Sequence, residues 1–584
     1  MKKWQKGLAL VFAGAMTAST LVACKPQQNA VATDPKTINV EMSKLSYGVA
    51  WAYEVKDKFE AAYAAEGYKV NILKPSSDMR NSVAIQQLAQ GYDATKVDMY
   101  ISGGLTSKNV GEMGQYGVIC EEVSDLWEKK AIGYDGQEES KTLREKAVGG
   151  VYEGSKDIKG KIYSVPYFST TGGLVVNTRK LALYGINTLP TTTNELFDMW
   201  TTIYLGANGQ GSSEETGVFP FTYMPGTTNQ YTTDWVLAAM AQYDEKLYNE
   251  YWSWQTDNGD GSVTWWENDV TPAVNDAFLA SVEVMAQAFD INVACYGTAT
   301  QTLDQAQAQI MKQDAGAIFM CNGSWYLNDM ALSYEDSLND ITFINFPVVS
   351  KLADKLWADT VADAEKREEM LRYAISQVDD LNKMENTAAI ASDMTSKYGV
   401  QVTEDDVKEV RRARYAYCIR TTEQTIAITK GTPKRDICEL FIRMIASDDA
   451  ALTMNRLANA NSAYAKTPNT TSEYTFVKAA SKIAVGEYAK GFINNAFGYR
   501  YALGQTRLAL FQAHLPSYIS TLTNSLSIYD GDGHMSGNTV QVYKDLALDI
   551  FNKEKDVLRQ NLENWKTLNA DVIEEHRQLN NVRG

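Results

Sequence analysis

Aromatic, amide and charged residues recur in this chain where turns follow apolar stretches, positions from which side chains can contact a small ligand. Aromatic plates beside amide and carboxylate hydrogen-bond partners in a cleft would suit a neutral ligand better than an anionic one. Trp325 stands with Asn322 and Ser324 in Cys321-Asn322-Gly323-Ser324-Trp325, and Tyr47 and Trp51 fall within Ser43 to Trp51. Tyr167 lies in Pro166-Tyr167-Phe168-Ser169-Thr170, Tyr223 and Asn229 in the turn-rich run Phe221 to Gln230, and Asp78 and Arg80 close Pro75 to Arg80. Asp78 and Arg80 are able to hold hydroxyls in bidentate fashion. With 33 Tyr and 12 Trp, abundance decides nothing, because aromatics are core material first; position decides more. The bland reading of Trp325 is packing between elements, and that of Tyr47 and Trp51 is the buried face of the next helix. For Tyr223 and Asn229 it is a solvent loop, and for Asp78 and Arg80 a surface helix start.

The flanking pattern says which elements carry these residues. Thr37–Met42 reads as a strand, Tyr53 to Ala65 as an amphipathic helix ending at Gly67, Tyr68–Leu73 as a second strand, Val83–Ala89 as helix and Val97–Ile101 as a third strand. Alternation of β and α implies a parallel α/β lobe, whose ligands sit beyond the carboxyl ends of the strands, where Ser43–Trp51, Pro75–Arg80 and Ser102–Gly104 fall. Gly160–Phe168 and Gly173–Leu181 read as two strands joined by a polar turn. Ala306–Lys312 reads as a helix and Gly316–Met320 as a strand, after which Trp325 opens a helix with free N–H groups.

Other chemistries find little footing. Tyr251-Trp252-Ser253-Trp254 and Val263-Thr264-Trp265-Trp266 alternate around Asp257-Asn258-Gly259-Asp260-Gly261, a hairpin signal. The same loop overlays a calcium-loop frame through Asn258, Asp260 and Glu267, but Thr256 stands where the first carboxylate belongs, so the turn reading is preferred and no metal is expected. Asp530-Gly531-Asp532-Gly533 is read as a polar turn. Cys120, Cys295, Cys321, Cys418 and Cys438 lack any C-x-x-C pair and are read as mostly buried small residues. His514, His534 and His576 form no zinc-hydrolase frame, and no phosphate-cradling glycine loop occurs, so no catalytic residue and no cofactor are assigned. A formal charge of −17 repels nucleic acid and anionic lipid, and the basic cluster Arg411-Arg412-Ala413-Arg414 is read as local.

Lys2, Lys3 and Lys6 precede an uncharged run from Leu8 to Ala23 that ends Leu21-Val22-Ala23-Cys24. This looks like a bacterial lipoprotein signal, and the run is shorter than the roughly 20 apolar residues of a spanning helix. The resemblance implies cleavage before Cys24, lipid on its sulfur and a mature chain held at the extracytoplasmic face of the membrane. Polar residues 24–36 read as a flexible tether, with folding expected to begin near Thr37. About 548 residues then remain, more than one core usually serves, so two lobes or more are expected.

Three stretches carry a further resemblance. Gly160-Lys161-Ile162-Tyr163-Ser164-Val165-Pro166, Asn177, Gly185-Ile186 and Leu189-Pro190-Thr191-Thr192-Thr193-Asn194-Glu195-Leu196 follow one order, with Asn194 or a threonine as helix N-cap. Helix 306–312, strand 316–320 and Gly323-Ser324-Trp325 are the second, and Thr425–Pro433 with the helix Asp436–Ala446 the third. Together they resemble the family 1 extracellular solute-binding proteins, sugar-capturing subunits of ABC importers. The resemblance implies an α/β, two-lobed periplasmic-binding-protein-like fold of type II. Its lobes would be 37–165 with 416–455 and 166–350 with 456–584. Residues 351–415 depart from the pattern as a charged helical insertion, and the tail 461–584 is long, with helical spacing over Val542–Gln578. The implied function is a monomeric, lipid-anchored, non-enzymatic receptor that binds a carbohydrate, an oligosaccharide, and delivers it to ABC permease subunits. A peptide or polyamine receptor of the same fold, a surface glycan-degrading enzyme and an adhesion lipoprotein stay open beside it.

Overall fold

A computed structural model describes residues 30–484, apart from 74, 76–80, 113, 158, 224–229, 254, 261, 266–274, 289–300, 417–418 and 421–423, together with 545, 549, 552, 556 and 560. In chain order the strands are β1 (Thr37–Met42), β2 (Lys69–Ile72), β3 (Met99–Gly103), β4 (Lys130–Ile132), β5 (Glu138–Thr142), β6 (Val165–Pro166), β7 (Phe168–Asn177) and β8 (Val218–Thr222). They continue with β9 (Gln255–Asp257), β10 (Val263–Trp265), β11 (Gly316–Gly323), β12 (Ile341–Ile344), β13 (Ile419–Arg420), β14 (Gln424–Ile428) and β15 (Asn461–Ser462).

Two sheets organise two lobes. The first has the order β2-β1-β3-β14-β6, with β1 parallel to β2 and β3, and β14 returning antiparallel from far along the chain. Its core joins Ile38, Val40, Met99 and Ile101 to Trp51, Val55 and Phe59 of the helix Ala50–Ala62, and to Phe441 and Ile445 of the helix Arg435–Ile445. That last helix has an almost complete apolar stripe, which is why it beds on the sheet. The second sheet has the order β12-β7-β11-β8, with helices on its faces.

The segment 160–181 differs from its sequence reading. Residues 168–177 form one continuous ten-residue strand, β7, and no polar turn interrupts it. The polar residues Ser169–Thr171 stay extended because partners flank them: β15 pairs at Ser169 and Phe168, and β13 pairs at Thr171 and Thr170. These are the crossings between lobes. β6 leads into β7, β13 leads back to β14, and β15 precedes the helix Thr475–Ala484, which packs on β12 through Phe476. The N–H of Tyr167 donates to Gln424 O at 3.1 Å and that of Ala463 to Tyr167 O at 3.0 Å, so the crossings lie side by side as one hinge.

Insertion 351–415 folds as the helices Lys351–Trp357, Ala364–Val378, Thr387–Tyr398 and Glu404–Arg414. Leu352, Trp357, Leu371, Ile375 and Val407 enter the same core as Trp200 and Trp235, so the insertion enlarges the second lobe. Arg412 donates to the carbonyls of Ala241 and Gln242, Arg411 to Met384 O, and Arg414 pairs with Asp379; the basic cluster is spent on internal fastening. Residues 30–36, assigned to the tether by sequence, are docked on the first lobe, with Ala32 N–H donating to Asn39 Oδ1 at 2.8 Å. Cys120, Cys321 and Cys438 are buried and free. Cys24, Cys295, Cys418, the histidines, Asp530–Gly533 and the apolar spacing over 542–578, five positions excepted, lie outside the described residues. Among the described residues no helix is long and apolar enough to cross a membrane.

Candidate functional site

At the carboxyl ends of β1 and β3, Ser43 and Ser102 hydroxyls meet at 2.7 Å, and the loop that follows β1 swings toward the second lobe. There β11 ends in Asn322-Gly323 and the chain turns through Ser324 and Trp325 into the short helix Tyr326–Met330, with Trp325 at its N-cap. Ser324 is fixed to the hinge strand: its N–H donates to Thr171 O at 2.9 Å, and its Oγ accepts from the Thr171 N–H at 3.3 Å.

The two lobes touch through these segments. Tyr47 and Ser324 hydroxyls stand 3.3 Å apart across the seam. Asn328 Nδ2 donates to Ala458 O at 2.9 Å, and Ser46 hydrogen-bonds the Asp329 carboxylate, which also accepts from Gln307 Nε2 at 3.2 Å. Trp325 belongs to the second lobe by sequence yet packs in the first lobe's core cluster, and its ring also lies 5.5 Å from that of Tyr231 on the second-lobe helix Gln230–Tyr243. Tyr47, Ser324 and Trp325 are only 5%, 9% and 8% exposed, buried in the contact between the lobes.

Behind this seam lies an aromatic layer. Trp51 is in the first turn of its helix, not in the loop, and is fully buried, stacked on Tyr167 at 5.1 Å and 5.4 Å from Phe168. Tyr167 donates its hydroxyl to Gln424 Oε1 at 3.1 Å. These two rings support Tyr47, whose ring lies 4.7 Å from Phe168. Asn322 is buried, its Oδ1 accepting from the Gly323 N–H at 2.8 Å. Tyr223 follows the last residue of β8, its ring stacked 6.2 Å from Phe221, and is buried with the second lobe's core. Asp78, Arg80, Asn229 and Glu267 lie outside the described residues.

Sequence reasoning passed over Ser46, Tyr231, Asn328, Asp329 and Gln424. Ser46 lies in the loop Ser43–Trp51 already placed at the strand ends, and Asn328 and Asp329 follow Trp325 within one helical turn, so both signals were there to use; Tyr231 and Gln424 have none short of the tertiary contact. The hairpin is present, with Thr264 opposite Thr256, and polar side chains bond one another within its turn. Asn258 Nδ2 donates to Ser262 Oγ at 2.9 Å and Asp260 Oδ1 accepts from the Ser262 N–H at 2.9 Å. Among the described residues no group of three or more His, Cys, Asp or Glu gathers to hold a metal. A separate pocket of about 150 Å³ lies between the insertion and the second lobe, beside Thr193, Gln287, Ser350 and Glu368. Glu368 accepts from Thr192 Oγ1 at 2.5 Å and Ser350 Oγ at 3.2 Å, which fastens the helix Ala364–Val378 to the lobe.

Two predictions arise from the geometry. A Cβ at Gly323 would stand 2.1 Å from the Trp325 indole, so Gly323→Ala is expected to push that ring from its seat. Overpacking of this kind costs about 1–3 kcal/mol, read as a lower urea midpoint and an altered near-UV circular dichroism. Burial raises the Asp329 carboxyl above its ordinary range. The folded protein therefore holds this proton more tightly than the unfolded chain, and stability falls as pH rises through the window between the two values. Asp329→Asn keeps an acceptor and removes the ionisation, so the variant is expected to melt at or above the parent temperature at neutral pH. That advantage shrinks as pH drops below the ordinary carboxylate range; a gain that grew with acid would contradict the assignment.

Two lobes on a three-crossing hinge, with polar and aromatic side chains meeting at strand ends across the seam, define a two-lobed binding protein of the periplasmic type. The sequence profile described as bacterial extracellular solute-binding protein matches residues 43–452, and the chain belongs to that family. Among solved structures, the probable secreted solute-binding lipoprotein from Streptomyces coelicolor is similar at 15% identity, covering 85% of this chain and 99% of its own, with a TM-score of 0.52. The apo form of RafE from Streptococcus pneumoniae is similar at 12% identity, covering 89% and 98%, with a TM-score of 0.51. No curated protein matches the chain.

Proposed function

We propose that this protein is a lipid-anchored, extracytoplasmic receptor that binds a neutral carbohydrate, an oligosaccharide, between its lobes and delivers it to an ABC importer. The observation that carries the reading is the seam itself, where Trp325 and Ser324 of one lobe face Tyr47 of the other with Asn328 and Asp329 alongside. Aromatic plates supply faces for sugar C–H groups, and the hydroxyl, amide and carboxylate groups supply partners for sugar hydroxyls. Trp51 and Tyr167 act behind them by holding Tyr47 and Phe168 in place. Asn322 positions the Gly323 turn rather than reaching the ligand. Tyr223 backs the second lobe's side of the site from within its core.

Closure follows from differential contact. A ligand that touches both lobes only when they are shut shifts the hinge toward the shut state, and the permease reads occupancy as shape. Cys24, by its lipoprotein-like setting, anchors the chain beside that permease, which raises the effective concentration of cargo there. Calorimetry of the purified protein against neutral oligosaccharides, peptides and polyamines tests the reading, with chromatography of the recovered sugar. Binding of a neutral sugar recovered intact is expected. Shortened sugar would make it an enzyme, and binding of only peptide or polyamine would reassign the ligand.

A further inference from the structure

The chain enters the first lobe at the end remote from the seam. β1 and β2 start together, Thr37 opposite Lys69, and the other end of β1 leads to the loop whose Tyr47 meets the second lobe. Ahead of β1, residues 30–36 double back over this end in a clasp. Asn39, fully buried, accepts from the Ala32 N–H at 2.8 Å and donates to Ala32 O at 2.9 Å. Asn71, its neighbour across β1 and β2, donates to Ala30 O at 2.9 Å and to Asn39 Oδ1 at 2.8 Å. Thr37 Oγ1 donates to Asp34 Oδ2 at 2.8 Å and closes the turn between.

The clasp fixes the chain to the first lobe from Ala30 onward. Between Cys24 and Ala30 lie about six residue steps, at most ~20 Å of extended backbone, whereas a tether running free to Lys36 would span about twice that. Exposed lysines surround the exit. Lys36 reaches Glu66 O, Lys96 pairs with Asp93, Lys430 reaches Val118 O, and Lys69 starts β2. Asp34, Glu66 and Asp93 stand among them, so their pull on lipid phosphate is modest, at most about 1 kcal/mol per lysine, and the acyl anchor supplies the rest.

We propose that this end of the first lobe is the surface that rests against the bilayer, with Asn39 and Asn71 fixing where the anchor leaves the fold. The proposal rests on the reading of Cys24 as a lipid anchor, and its test separates the two. The chain from Lys25 onward, carrying an N-terminal hexahistidine, is bound to vesicles of phosphatidylcholine, phosphatidylglycerol and a nickel-chelating lipid. Lysine acetylation is then followed residue by residue by mass spectrometry. Lys36, Lys69 and Lys96 are expected to slow several-fold on vesicles, with Lys397 and Lys408 of the insertion unchanged. Equal slowing at all sites, or slowing at Lys397 and Lys408 instead, overturns the membrane-facing assignment. Asn39→Ala with Asn71→Ala is expected to reduce the protection at Lys36 and Lys69. Full protection in that variant removes the clasp from the proposal, and Asn71→Ala alone serves if the double variant does not fold. Mass analysis of the Cys24 peptide from native membranes tests the anchor separately.

Discussion

Replacing Trp325 by alanine is expected to weaken binding of the cognate sugar about 10- to 100-fold, roughly 1.4–2.8 kcal/mol, the range of an interfacial aromatic anchor. The indole sits at the N-cap of the helix Tyr326–Met330 and packs into the opposite lobe's core, so its loss acts twice. A ligand loses its stacking plate, and the shut state loses an apolar contact that the parted state lacks. Calorimetry measures the first effect, and solution scattering of the ligand-free protein measures the second as a shift toward wider lobes. Trp325→Phe restores part of both, because a smaller ring still fills some of the seat over Gly323. Unchanged affinity in Trp325→Ala, with the sugar bound at the parent stoichiometry, would remove Trp325 from the site.

A larger loss of stability is expected from Asp98→Ala. Asp98 is fully buried immediately before β3, where Oδ2 accepts from the Asn39 N–H at 2.7 Å and from Lys434 Nζ at 3.1 Å, and Oδ1 accepts from Thr432 Oγ1 at 2.6 Å. Lys434 also donates to Thr37 O at 2.7 Å. This network ties the returning chain around β14 to the first strands. Removing the carboxylate strands a buried ammonium, which costs about 3–5 kcal/mol, a large part of the 5–15 kcal/mol that holds a typical domain. The urea midpoint of the first lobe should fall, with hydrogen exchange at β1 and β3 rising before that of β7. Asp98→Asn keeps an acceptor and should lose less. Equal stability of Asp98→Ala and the parent would show that Lys434 finds another partner.

Several elements could be read from residues alone because they depend on local order. Gly316–Met320 is a strand, and Arg435–Ile445 is a helix within a residue of its expected bounds, since periodic apolar residues select one period over the other. Thr192 rather than Asn194 caps the helix Thr193–Leu205, a choice among neighbours that spacing left open. The continuity of β7 was illegible, because Ser169-Thr170-Thr171-Gly172 is polar enough to read as a turn until β13 and β15 pair with it. The docking of residues 30–36 was illegible for the same reason: nothing apolar marks it, and two asparagine side chains hold it.

For the site, the sequence by itself determined the family, the order of elements and the turn that presents Ser324 and Trp325, all carried by short stretches of chain. Tertiary structure alone decided that Trp325 meets the lobe of Tyr47, that Trp51 lies behind the seam, and that the insertion joins the second lobe. Tyr47 and Ser324 are 277 residues apart in sequence and 3.3 Å apart in space. Local spacing fixes periodicity and turns, whereas contacts across such separations are set by which buried faces and hydrogen-bonding groups find partners once both lobes have formed.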